Sequence, residues 1–165
     1  MVMVIERLRT DTMSVSTEGT ELIFERTFDA PRDLVWKAFM DPALIPRWWG
    51  PHGTTTTVTE MDVRVGGAWR YVSHASGRDD VTFYGKYLAI EPPTSFTWTF
   101  LFEVEGFGEQ GGPGTFTFED VAGRTRVRTS SHFPSVEALE GALSGGMIGG
   151  AVETWDRLEA FLAEG

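Results

Sequence analysis

Three histidines, His52, His74 and His132, are the side chains of this chain best suited to moving a proton near neutral pH. They lie far apart in sequence, and no pair has the spacing of zinc ligands on one helix. There is no Cys to complete a metal set, so no metal and no other cofactor is expected, and thiol nucleophiles and disulfides are excluded. Ser144 precedes Gly145-Gly146, but Gly141-Ala142-Leu143 before it breaks the spacing of a nucleophile elbow. The glycine clusters at Gly111-Gly112 and Gly145 to Gly150 lack the strand, spacing and Lys of a phosphate loop. Glu60 and Asp62 beside Arg64 read as a surface charge ladder, Asp79-Asp80 as a turn, and Glu103 and Glu119 as flanks of aromatic strands. No general acid and base can be paired from these.

The other chemistry the chain offers is aromatic. Trp69, Tyr71, Phe83 and Tyr87, then Trp98, Phe100, Phe102, Phe116 and Phe118, fall on strand faces that should look toward a helix. Two readings stand side by side. Such rings form a close-packed core, as interiors normally do, or part of the set lines a pocket for a small molecule. In the second reading Met147, Ala151 and Trp155 belong to the helix wall. The segment that should cap the open end also has two readings: Trp48 and Trp49 plug the sheet's mouth as structure, or His52, between Pro51 and Gly53, is a gate or polar contact for the ligand's head group. His132 is expected at the surface with Arg126 and Arg128, and His74 at a strand end.

These residues need elements to hold them. Residues 1–19 read as a flexible arm in which Met13 offers a second start of translation. Residues 20–165 read as one domain, since 165 residues suffice for one core. Glu21 to Phe28 is a strand with Leu22, Phe24 and Phe28 on one face. A helix follows Pro31, with Leu34, Val35, Ala38 and Phe39 at helical spacing and Asp29 or Ala30 at its cap. A second short helix runs from Asp41 to Trp49. Met61, Val63 and Val65 alternate with Glu60, Asp62 and Arg64, predicting a strand that Gly66-Gly67 reverses into Ala68 to Ser73. Further strands carry Val81 to Ile90 and Phe96 to Phe102. The glycines between Glu105 and Gly114 predict a flexible loop before Phe116 and Phe118, and the last strand holds Val127 to Phe133. From Ser135 to Leu162, Ile148, Ala151, Trp155, Leu158 and Leu162 share one side of a long helix with a glycine-loosened start. The whole is an α+β chain with sequential antiparallel strands.

The chain resembles the bacterial single-domain relatives of the C-terminal domain of the activator of the Hsp90 ATPase, in the START-like or Bet v 1-like (SRPBCC) superfamily. The residues that carry this are Phe28-Asp29-Ala30-Pro31, Val35-Trp36, Trp48-Trp49-Gly50-Pro51, Met61 to Gly67, Pro92-Pro93 and the late Trp155 to Leu158. The resemblance implies a helix-grip fold, in which a curved antiparallel sheet wraps around a long C-terminal helix and two short helices after the first strand close one end. It also implies an apolar cavity between sheet and helix. Members are often labelled polyketide cyclase, lipid transport or Hsp90 activator.

Composition narrows the partners. A formal charge of −10 argues against nucleic acid and anionic membrane surfaces, which require a basic footprint. No apolar run has the length of a membrane span or a signal peptide's core, so a cytoplasmic location is expected. The expected function is binding of a small hydrophobic or aromatic ligand. The alternatives are a cavity enzyme of polyketide cyclase or hydrolase type, using His52, Tyr71 or Tyr84, and a chaperone-interacting module. A homodimer is open on this reading.

Overall fold

The computed structural model describes residues 2–4, 13–104, 108–144 and 147–164. Among these, nine strands form one antiparallel sheet: β1 (Val2–Val4), β2 (Met13–Glu18), β3 (Glu21–Phe28), β4 (Thr54–Met61), β5 (Ala68–Ala75), β6 (Val81–Glu91), β7 (Ser95–Val104), β8 (Gly108–Val121) and β9 (Arg124–His132). Their spatial order is β1-β2-β3-β9-β8-β7-β6-β5-β4. Chain neighbours are therefore sheet neighbours, except that β3 pairs with β9. Between β3 and β4 the chain crosses to the far edge through α1 (Arg32–Met40) and a 3-10 turn at Ile45–Arg47. After β9 come α2 (Val136–Ser144) and α3 (Met147–Ala163). This is an α+β helix-grip fold. No helix among the described residues is long and apolar enough to cross a membrane.

Alternation assigns the two faces of the sheet. Leu22, Phe24 and Phe28 on β3 stand opposite Ser131, Thr129 and Thr125 on β9, and Val127 and Thr129 stand opposite Phe118 and Phe116 on β8. That concave face receives Ile148, Trp155 and Leu158 from α3 and Val35, Ala38 and Phe39 from α1, all buried. α1 is capped by Pro31, whose own φ of −62° suits that position, so the cap is neither Asp29 nor Ala30. Bulges between Val58 and Glu60 and between Tyr87 and Ala89 bend the sheet.

Several sequence expectations need correction. Residues 13–18 are a strand of the sheet, and Met13 and Val15 are core side chains, so the stretch to Gly19 is not simply an arm. The strand expected through Val65 ends at Met61. From Asp62 to Gly67 the chain folds on itself, with the Arg64 N–H donating to the Asp62 carbonyl at 2.9 Å and the Gly67 N–H to the Arg64 carbonyl at 2.8 Å. Val63 and Val65 are thereby exposed, despite their alternation. A Cβ on Gly67 would run into the Asp62 carbonyl, so glycine alone fits there. The second short helix is only the 3-10 turn.

The loop expected up to Gly114 is strand from Gly108 onward, while Glu105, Gly106 and Phe107 lie outside the described residues. Its glycines pair with large rings, Gly112 with Phe100 and Gly114 with Trp98, which offsets their poor strand propensity. On β6 the bulge between Tyr87 and Ala89 sets Ile90 opposite Phe96, where unbroken alternation from Tyr87 would have placed Ala89 on that face. The single long helix is two, and residues 145 and 146 between them lie outside the described residues.

Candidate functional site

The concave face divides into an aromatic half over β5 to β8 and a mixed half over β2, β3 and β9. In the aromatic half Trp69 stacks on Trp98 with ring centres 4.2 Å apart, and Phe96 stacks on Phe116 at 4.7 Å. Trp69 also donates its indole N–H to the Thr99 carbonyl at 3.2 Å. Trp69, Tyr71, Tyr87, Trp98 and Phe118 are buried, so the close-packed reading describes them. Trp155 belongs with them, edge-on to Phe28 at 5.6 Å and to Phe24 at 6.3 Å. Phe83, Phe100, Phe116 and Ala151 are only half-buried, although they lie on the side that α3 covers. The side chain of Met147 lies outside the described residues.

The two tryptophans of the Trp48-Trp49-Gly50-Pro51 turn part company. Trp48 is fully buried and ties the turn to α1 by donating its indole N–H to the Ala38 carbonyl at 3.1 Å. Trp49 is half-buried and enters the aromatic half, edge-on to Tyr71 at 5.0 Å and to Trp98 at 6.2 Å. Three polar side chains hold the turn in place. Thr56 Oγ1 donates to the Trp49 carbonyl at 2.9 Å and Thr54 Oγ1 to the Pro51 carbonyl at 2.7 Å. Arg157 Nη1 reaches the carbonyls of Trp49, Gly50 and Pro51 at 3.2, 2.9 and 3.3 Å. Gly50, with φ of +99° and Thr54 where a Cβ would stand, permits the bend. His52 is exposed at the outside of the turn, and its backbone N–H donates to Glu153 at 3.1 Å.

Two hydroxyls lie within the aromatic half. Tyr71 Oη donates weakly to Met61 Sδ at 3.8 Å, and Tyr87 Oη is buried with no hydrogen-bond partner among the described residues. Burial raises the Tyr71 phenol well above its usual range, with the neighbouring Tyr87 adding to the rise although no direct bond joins the two in this geometry. Burial likewise pushes Tyr87 up to about 12. Both are neutral hydroxyls at physiological pH. They can hydrogen-bond a ligand, but no carboxylate or Arg is bonded to either, as proton-transfer chemistry would require.

The mixed half holds a charge that the sequence reading passed over. Arg26 lies on the concave face between Phe24 and Phe28 and is only 4% exposed. Its Nη1 donates to Asp156 Oδ1 on α3 at 2.7 Å, and its guanidinium sits 5.2 Å from the centre of the Phe28 ring. Arg26 Nε is buried without a hydrogen-bond partner among the described residues, as are Thr129 Oγ1 on β9 and Glu159 Oε2 on α3. The signal was present in the strand pattern: an Arg occupies the apolar register of Leu22, Phe24 and Phe28.

The remaining candidates do not converge. Tyr84 pairs with Arg70 and Leu101 on the convex face, outside the space between sheet and helix. It lines an open depression of about 610 Å³ with Arg70, Lys86 and Thr99. His132 is exposed, while His74 is held by Asp80 at 2.9 Å and Thr57 at 3.0 Å. Among the described residues no three His, Asp or Glu side chains are grouped as metal ligands.

Comparison with known proteins places the architecture in context. Residues 29–163 match the family model described as Activator of Hsp90 ATPase homolog 1-like protein. A crystal structure of a Mycobacterium smegmatis protein is 27% identical, with a TM-score of 0.79 over 90% of this chain and 94% of that one. A solution structure from Arthrobacter aurescens is 26% identical, with a TM-score of 0.83 over 92% of each chain. A Rhodobacter sphaeroides crystal structure is also 26% identical, with a TM-score of 0.83 over 93% of this chain and 99% of that one. No curated protein matches.

Proposed function

We propose, from the premise that this chain belongs to the Activator of Hsp90 ATPase homolog 1-like family, that it is a cytoplasmic protein binding a small hydrophobic or aromatic molecule between the concave sheet and α3. The observation that carries this is the incomplete cover on Trp49, Phe83, Phe100 and Phe116. Four rings on the α3 side of the sheet are only half-buried, packed against the buried cluster rather than enclosed within it. A ligand that slides against them removes apolar area from water, worth roughly 25 cal/mol per Å² before the costs of association. Ligand binding is also the typical role in the wider superfamily.

The exposed apolar side chains Val63, Val65 and Leu88 are the surface that a chaperone-interacting role would call upon. With Leu34 on α1 and Val136 on α2 they make five exposed aliphatic groups among the described residues, spread over the sheet and two helices, small for a stable interface.

Titration of the folded protein with the neutral fluorophore N-phenyl-1-naphthylamine tests the reading. Saturable binding at one site of the folded parent, weakened several-fold in a Phe100→Ala variant that still gives a cooperative melt, is the expected result. Absence of saturable binding to the parent protein contradicts it.

A further inference from the structure

The mixed half of the concave face points to what the ligand carries at its other end. We propose that Arg26 Nε and Thr129 Oγ1 form a subsite for a carboxylate or similar anionic group, so that the molecule bound is an amphiphilic acid rather than a plain hydrocarbon. This rests on the ligand-binding reading above and specifies its substrate class.

Arg26 is the starting point. A guanidinium offers five N–H donors in a planar fork, and a buried one without acceptors is costly. Only Nη1 is bonded to a carboxylate, that of Asp156, which is itself 47% exposed. The Nε donor on the other edge of the fork is buried and unpartnered. Thr129 Oγ1 is the second unpartnered donor in this half among the described residues, Glu159 Oε2 being an acceptor, and Thr129 is 3% exposed. Arg26 stands opposite Val127 and Thr129 opposite Phe24, so the two are diagonal neighbours on adjoining strands, about 7 Å apart by sheet geometry. A carboxylate has two oxygens and can accept from both.

The apolar part then has a defined place. Thr129 stands opposite Phe116 on the next strand, and Phe116 is one of the half-buried rings. Strand spacing of about 4.8 Å puts Phe116 roughly two strands, or 10 Å, from Arg26. A short aromatic or alkyl acid spans that distance. Asp156 competes for the same guanidinium from the helix side. Its half-exposed position lets it turn toward water when a ligand's carboxylate arrives.

The test compares 1-naphthaleneacetate with its neutral isostere 1-naphthaleneacetamide by calorimetry on the full chain. The Arg26 Nε–H resonance is followed by NMR. The acid should bind about tenfold more tightly or better, as a charge-assisted bond implies, and should move the Arg26 Nε–H signal while the amide does not. Asp156→Asn, which removes the competing charge, should tighten the acid and leave the amide unchanged. Arg26→Gln should abolish the preference, and the parent and Asp156→Asn comparisons decide the question even if that variant does not fold. Equal binding of acid and amide with a still Arg26 signal overturns the subsite but leaves the apolar site standing. Binding of neither overturns both.

Discussion

Arg157 Nη1 on α3 donates to the Gly50 carbonyl at 2.9 Å, close to the carbonyls of Trp49 and Pro51 on either side. One cation thereby gathers the carbonyl dipoles of the turn that carries Trp49. The helix that closes the concave face also positions the ring that enters it. Glu153 reinforces the link through the His52 N–H.

Replacing that cation should loosen the turn. Arg157→Met keeps most of the packing stem but removes the donors, and a loss of about 1–3 kcal/mol is expected for hydrogen bonds to a charged group. Trp49 should gain solvent, seen as a red shift of tryptophan emission. Unchanged melting and emission together would show that Thr54 and Thr56 suffice to hold the turn.

Tyr87→Phe removes a buried hydroxyl that neighbours Tyr71 but has no hydrogen bond of ordinary length among the described residues. Relief of its desolvation should leave stability unchanged or raise it by about 1 kcal/mol in denaturant unfolding. A loss above about 1 kcal/mol would mean that the hydroxyl is bonded in the folded protein.

The tyrosines also set an alkaline limit. Tyr71 and Tyr87 have folded-state pKa values raised above the unfolded value near 10, so the folded protein holds their protons more tightly. Their contribution is fully present below pH 10 and is lost as pH rises from there through about 12, the value for Tyr87. Tyrosinate absorbance for these two should therefore appear with unfolding, not before it. Titration of all three tyrosines near pH 10 in folded protein would contradict their burial.

Much of the fold could be read from residue patterns. The aromatic alternation on β7 and the apolar side of α3 survive intact because each pattern matches a single buried face. The pattern misled where a local turn outcompeted it: Val63 and Val65 alternate as a strand does, yet the Asp62–Arg64 contacts and the space at Gly67 close the chain there. Glycine in β8 misled the other way, since its partners Phe100 and Trp98 lie in a strand whose pairing no local pattern shows. The strand faces foretell the burial of Trp69, Tyr71, Tyr87 and Trp98, whereas nothing in the sequence separates Trp49, which enters the aromatic half, from Trp48, which packs on α1. Arg26 was visible in its register, but its pairing with Asp156, 130 residues away, is a property of the folded chain.

The seat of α3 is tested by Leu158, which is fully buried. Leu158→Ala should cost about 2–5 kcal/mol, and Leu158→Arg should prevent folding, as judged by circular dichroism. A parent-like melt of Leu158→Arg would show that this face of the helix does not meet the sheet.

The central claim is a site on the concave face, and NMR mapping of N-phenyl-1-naphthylamine locates it most directly. Shifts that saturate together at the Trp49 indole and the rings of Phe83, Phe100 and Phe116, with Val65 and Leu88 unmoved, are the predicted result. Saturating shifts confined to Val63, Val65 and Leu88, or none that saturate, would contradict it.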